Sequence, residues 1–135
     1  MGDWECKAGA SLLIPEYTKG MYHLHIVASS PQNISGYRDN SCVLLSLTTI
    51  YQGIPYDDAC VLDADDGHPF ITHPSYVAYG FARSSCSSEI MDYVSKGVYK
   101  SQPDAPSGML TKIVSGITNS IHSGPWLSDF EYLSN

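Results

Sequence analysis

Four of the five histidines stand in two short segments whose spacing favours acid–base chemistry. His23 and His25 are two residues apart, so a strand would project both imidazole rings from one face. His68 and His73 each precede a proline, which holds the residue before it extended, and their rings could converge on one pocket. Imidazole exchanges protons near neutral pH and can act as base or acid beside a phosphate. We therefore predict catalytic roles for His23, His68 and His73.

These segments also have plainer interpretations. His23 and His25 can be polar side chains of a half-exposed strand, and residues 63–67 (DADDG) a turn of solvated carboxylates. Histidines from separate strands could also bind zinc. An EF-hand calcium loop is excluded, because Gly67 falls at the fifth place from Asp63, where that pattern needs an oxygen ligand. We predict neither a metal nor a cofactor.

Phosphate chemistry also needs a fixed cation, and the chain has only two arginines, Arg38 and Arg83. Arg38 stands beside Asp39 in a turn-rich segment, so a surface ion pair is the alternative for it. Ser75 and Tyr76 begin an aromatic run (SYVAYGFA) that ends just before Arg83. We predict that Arg38, Ser75, Tyr76 and Arg83 bind substrate, although Ser75 can equally stabilise a turn.

The elements that must position these residues are mostly short strands. Apolar alternation and β-branched runs, separated by turn residues, predict strands over residues 10–14, 22–29, 41–50, 59–62, 75–82 and 98–100. Helical spacing predicts a short helix over 88–95 and a C-terminal helix over 108–120, in which Gly116 indicates close packing. The fold class is mainly β with α (α+β): a small barrel or rolled antiparallel sheet in one domain, 1–135.

Composition limits the partners. The 135 residues carry a formal net charge of −7, so the protein as a whole repels nucleic acid, and RNA would have to meet a local cluster. No run of about 18 apolar residues and no signal peptide is present, so we expect a cytoplasmic protein without a membrane span. The four cysteines are widely spaced, which favours free thiols, with Cys42 and Cys60 in the core.

Several segments resemble the PemK/MazF family of toxin endoribonucleases in order and pattern. That family opens with a strand led by a small Gly, then Arg-Pro-x-x-Val-x-Ser, then a strand ending Pro-Ile-Thr-Ser. Here residues 9–14 come first, the second strand reads HLHIVAS from His23, and the third ends SLTT. Ser75-Tyr76-Val77 and residues 113–121 resemble the family's later strand and closing helix. His23 stands at the position of the family's arginine.

The resemblance implies an SH3-like barrel that cleaves single-stranded RNA without a metal, with Thr48 at a family catalytic position. One histidine would take the 2′-hydroxyl proton and another would protonate the leaving oxygen. It also implies a homodimer inhibited by an antitoxin. The alternative is a non-enzymatic protein-binding module on the same barrel. Fold does not fix function, and a tyrosine-rich surface of low charge suits protein contacts.

Overall fold

Antiparallel strands make up most of the computed structural model, which describes residues 4–16 and 20–134. The strands are β1 (Ser11–Pro15), β2 (Tyr22–Val27), β3 (Ser41–Thr49), β4 (Val61–Leu62), β5 (Ser75–Val77), β6 (Arg83–Cys86) and β7 (Lys100–Gln102). The helices are α1 (Ser87–Ser95) and α2 (Ser107–Asn119), and short 3-10 segments cover Ala64–Asp66, Tyr79–Phe81 and Pro125–Ser134. No helix within the described ranges is both long and apolar enough to cross a membrane.

The long strand β3 organises the sheet. The strand order is β4-β5-β3-β2-β1-β7, every pairing is antiparallel, and β6 also pairs with β3. Along one edge, β3 pairs first with β6 and then with β5, and its other edge pairs with β2. The mainly β fold with two helices is therefore confirmed. The sheet is open, running from β4 to β7 across the described strands, so the SH3-like barrel is not confirmed.

The sheet is buried on both faces. One face packs Leu24, Ile26 and Leu45 against Ile113 of α2, and the other packs Leu12 and Leu44 against Ile90 of α1. Burial on both faces explains why the start of β3 is apolar at nearly every position instead of alternating. Each such side chain contributes about 1.5–3 kcal/mol when removed from water.

Two predicted strands are wrong in their extent. The strand predicted over 98–100 lies at Lys100–Gln102 (β7). The run predicted as a strand over 75–82 pairs only through Val77 and then turns at Tyr79–Phe81, and the unpredicted strand β6 follows. At this turn Tyr79 enters the core, and its buried hydroxyl donates a hydrogen bond to the Ile113 carbonyl (2.6 Å). A Cβ at Gly116 would overlap that hydroxyl, so the predicted close packing at this glycine is confirmed.

Candidate functional site

A cleft of about 500 Å³ opens where the beginning of β2 separates from the end of β3. The two strands pair through residues 25–27 and 44–46, and beyond that point both line the cleft. Residues 69–73, in the loop before β5, form the third side. Three predicted catalytic residues, His23, Thr48 and His73, line this single space together with Ser75.

His23 has a carboxylate partner. Its Nε2 lies 2.8 Å from the Glu16 carboxylate, and both side chains are about one-third exposed. A carboxylate accepts the proton of Nε2, which assigns that tautomer and leaves Nδ1 as the basic nitrogen. Glu16 follows β1 in the β1–β2 hairpin, where its N–H donates to the Met21 carbonyl (2.9 Å).

The sequence analysis did not identify Glu16 as a partner of His23. The pairing of β1 with β2 supplies the missing signal, since Pro15 lies opposite Tyr22 and the next step brings Glu16 beside Met21. An acidic residue at the end of one strand of a hairpin can reach a histidine near the start of the next. The composition of the segment alone does not indicate this.

The remaining wall of the cleft combines buried apolar and polar side chains with exposed aromatic rings at its rim. Thr48 is half-buried, His73 is exposed, and the Ser75 hydroxyl donates to the His73 carbonyl (3.1 Å). Ser75 therefore holds the backbone that carries the His73 ring. Phe70 and Tyr51 are 44 % and 61 % exposed, so two aromatic faces remain open to a ligand.

Three of the four residues predicted to bind substrate lie elsewhere. Arg38 pairs with Glu89 on α1 (3.2 Å), as its surface interpretation expected, and Arg83 lies on β6 opposite Leu44. Tyr76 lines a second groove and packs on Tyr56, with ring centroids 5.6 Å apart. Among the described residues that line the cleft, none is lysine or arginine.

His68 is placed in the interior, not in the cleft. It is 2 % exposed, and its Nε2 lies 2.9 Å from the Ser11 hydroxyl and 3.0 Å from the Pro103 carbonyl. The N–H of Phe70 donates to its Nδ1 (3.1 Å). The neutral tautomer with its proton on Nε2 satisfies all three contacts. Burial lowers the pKa of His68, although the hydrogen bond to the Pro103 carbonyl opposes this shift. Both ring nitrogens are therefore engaged in holding β1 to two loops.

His25 is also unsuited to proton transfer in the cleft. Burial lowers its pKa from 6.5 to about 4, while a hydrogen bond from Nδ1 to the His23 carbonyl (3.0 Å) partly opposes the shift. The two rings share a face of β2, as predicted, but only His23 lines the cleft. In the ranges that the structure describes, no group of three or more potential metal ligands is assembled.

Comparison with known proteins adds no family assignment. A scan against protein-family models, a search of the curated proteins and a search of the solved structures each found no match to this chain. The resemblance to the PemK/MazF family stays a prediction.

Proposed function

We propose that this cleft cleaves single-stranded RNA by metal-independent acid–base catalysis. The observation that carries the proposal is the placement of His23, Thr48 and His73 around one space of about 500 Å³, with the Glu16 carboxylate behind His23. A nucleotide fits a cleft of this size. Two histidines with different surroundings supply the base and the acid that such a reaction needs.

The proposed reaction needs no group beyond these side chains. Nδ1 of His23 takes the proton of a ribose 2′-hydroxyl, and Glu16 stabilises the imidazolium that results. The 2′-oxygen attacks the adjacent phosphorus, and the bond from phosphorus to the 5′-oxygen breaks. His73 protonates that leaving oxygen, while the Thr48 hydroxyl donates to a non-bridging phosphate oxygen. The products are a 2′,3′-cyclic phosphate and a 5′-hydroxyl.

Aromatic rings account for substrate binding without a basic surface. The exposed faces of Phe70 and Tyr51 at the rim are placed to stack on bases, which every base permits and which duplex RNA would prevent. The described lining holds no lysine or arginine and the protein carries a charge of −7, so few counterions would be released on binding. Affinity for RNA should therefore depend only weakly on salt concentration.

The proposal extends to a PemK/MazF-like toxin. In it, the sheet is a variant of the SH3-like barrel, the protein acts as a cytoplasmic homodimer, and a separate antitoxin blocks the cleft. The order and pattern of the strands along the sequence support it. His23 departs from the family, which has arginine at this position, and in this proposal its imidazole takes over proton transfer there. Light scattering of the purified protein tests the dimer.

RNA cleavage in the presence of a chelator tests the function. We expect single-stranded RNA to yield 2′,3′-cyclic phosphate ends, with a bell-shaped dependence on pH. His23→Ala and His73→Ala should each lower the rate by about 10²–10⁴-fold. His122→Ala is the matched control, because this exposed histidine borders the second groove. The absence of cleavage, or equal rates in all three variants, would refute the proposal.

A second candidate, a non-enzymatic protein-binding module, is favoured by the uncharged lining and apolar rim of the same cleft. Expression in a bacterium separates the two candidates. Growth arrest that disappears with His23→Ala or Thr48→Ala supports the nuclease. Normal growth, together with one protein that is retained by the wild type and lost with Phe70→Ala, supports the binding module.

A further inference from the structure

Two cysteines that are 36 positions apart in the sequence meet in the core. The sulfur atoms of Cys6 and Cys42 are 3.7 Å apart, in the hydrophobic cluster that also holds Leu12 and Ile90. Cys42 lies in the central strand β3, whereas Cys6 precedes β1 in a segment without regular structure. A disulfide needs the sulfurs to approach to about 2.05 Å, and the N-terminal segment can supply that movement more easily than β3.

The two thiols are chemically unequal. Cys42 is fully buried and its sulfur also lies 3.6 Å from the Ser85 carbonyl, so it has two acceptors for one proton. The hydrogen bond between the thiols lowers the pKa of Cys6, and the same contact together with burial raises the pKa of Cys42. Cys6, which is 7 % exposed, is therefore the better nucleophile, and Cys42 is placed to resolve it.

We propose that Cys6 and Cys42 form a dithiol oxidation site that takes small-molecule disulfides as its oxidant. The Cys6 thiolate attacks one sulfur of the oxidant, the bond between its sulfurs breaks, and one small thiol leaves. Cys42 loses its proton and attacks the Cys6 sulfur of the mixed disulfide, releasing a second small thiol. The two cysteines lose two electrons and two protons, and the oxidant is reduced to two thiols.

The product would tie the N-terminal segment to the middle of the sheet. Contacts that already hold that segment include the Trp4 indole, which donates to the Ser11 carbonyl (2.9 Å), and the N–H of Gly9, which donates to the Val27 carbonyl (2.8 Å). A crosslink that closes a loop of this length restricts the unfolded chain, so oxidation should stabilise the fold.

The other two cysteines serve as internal controls. Cys60 lies in the opposite core beside Tyr79, and burial raises its pKa. Cys86 ends β6 directly before α1, and its sulfur contacts the Ser88 hydroxyl (3.0 Å), which lowers the pKa of Cys86 as well and makes it the competing thiol. The proposal requires that neither becomes crosslinked when the folded protein is oxidised.

Oxidation of the reduced full-length protein with oxidised glutathione tests the site. Free thiols are then alkylated, and peptides are mapped by mass spectrometry. We expect one crosslinked peptide pair, Cys6 with Cys42, the loss of two hydrogen atoms from the intact mass, and a thermal midpoint raised by several degrees. Cys60→Ser should behave like the wild type, whereas Cys6→Ser and Cys42→Ser should lose both the crosslink and the gain in stability.

Mapping of the wild type decides the question even if a variant does not fold. A crosslink that includes Cys86 or Cys60, glutathione retained on a single cysteine, or four alkylated thiols after exposure to oxidant would each overturn the proposal. Reduction with dithiothreitol should return the thermal midpoint to its starting value, and failure to do so would also contradict it.

Discussion

His68 and His73 lie five residues apart, each is followed by a proline, and the fold gives them opposite surroundings. His68 is buried with both ring nitrogens hydrogen-bonded, whereas His73 is exposed at the edge of the cleft. Their local sequences do not distinguish them. The difference comes from Ser11 and Pro103, which meet the first ring, whereas no side chain or carbonyl within residues 4–16 and 20–134 is hydrogen-bonded to the second ring.

This contrast separates two uses of the same side chain. In the interior, a neutral imidazole with one donor and one acceptor joins three segments, and its fixed tautomer leaves no site for proton exchange. At the cleft, the exposed ring of His73 can exchange protons with a ligand. We therefore assign His68 to stability and keep His23 and His73 as the proposed catalytic pair.

Replacement of the buried ring should have the largest effect on stability. His68→Ala removes the acceptor for the Phe70 N–H and leaves a cavity beside Ser11, so the free energy of unfolding should fall by about 2–4 kcal/mol. His73→Ala is the matched control and should change it by less than about 0.5 kcal/mol. Urea denaturation measures both. Similar losses of unfolding free energy in the two variants would contradict the different roles assigned to His68 and His73.

Acid should destabilise the protein through His25 and His68. The pKa of His25 is lowered from 6.5 to about 4, and that of His68 is also lowered, so below pH 6.5 the unfolded chain binds protons that the folded chain does not. The free energy of unfolding should therefore fall as the pH drops from 6.5 to 4, with about 3 kcal/mol lost at His25. Urea denaturation across this range measures the slope.

His25→Asn identifies the source of the acid effect. The variant cannot take up a proton in the unfolded state, so its stability should vary less with pH than that of the wild type. His122→Asn is the control, because this ring is exposed and its replacement should leave the slope unchanged. An unchanged slope in His25→Asn would show that this ring is not buried in its neutral form.

Removal of the Phe70 ring at the rim of the cleft should have the smallest effect of these changes, and the effect should be on RNA binding. Phe70→Ala should weaken the binding of single-stranded RNA by roughly 1 kcal/mol, the lower end of the range for base stacking, because the ring is partly packed. Phe81→Ala is the control, since that ring is 79 % exposed but lines the second groove. Fluorescence anisotropy at two salt concentrations measures both. Equal losses in the two variants would place the RNA elsewhere.

The strands and helices could be predicted because local patterns encode them. Residues 41–49 form a long, mainly apolar run, and the apolar side chains around Ile113 recur at helical spacing. The bounds of β3 and α2 therefore agree with the prediction to within a residue or two. β6 was missed because Arg-Ser-Ser-Cys has low strand propensity and forms a strand only by pairing with β3.

The site could be predicted only in part. Residue type identifies His23, Thr48 and His73 as capable of chemistry, and they do line one cleft. His68 lies outside the cleft because it is bound to Ser11 and Pro103, which are 57 and 35 positions away in sequence. Tertiary contacts at such separations leave no mark on local composition, and this also explains why Arg38 was predicted as a ligand when Glu89 pairs with it.

Nuclear magnetic resonance of the five histidine rings tests the central claim most directly. The ligand is a single-stranded RNA with one 2′-deoxyribose at the cleavage position, so that it binds without reacting. We predict that its addition shifts the ring signals of His23 and His73 together, while those of His68 and His25 stay in place. If the His23 and His73 signals do not move, or if RNA shifts only the signals of other histidines, the cleft is not the RNA site.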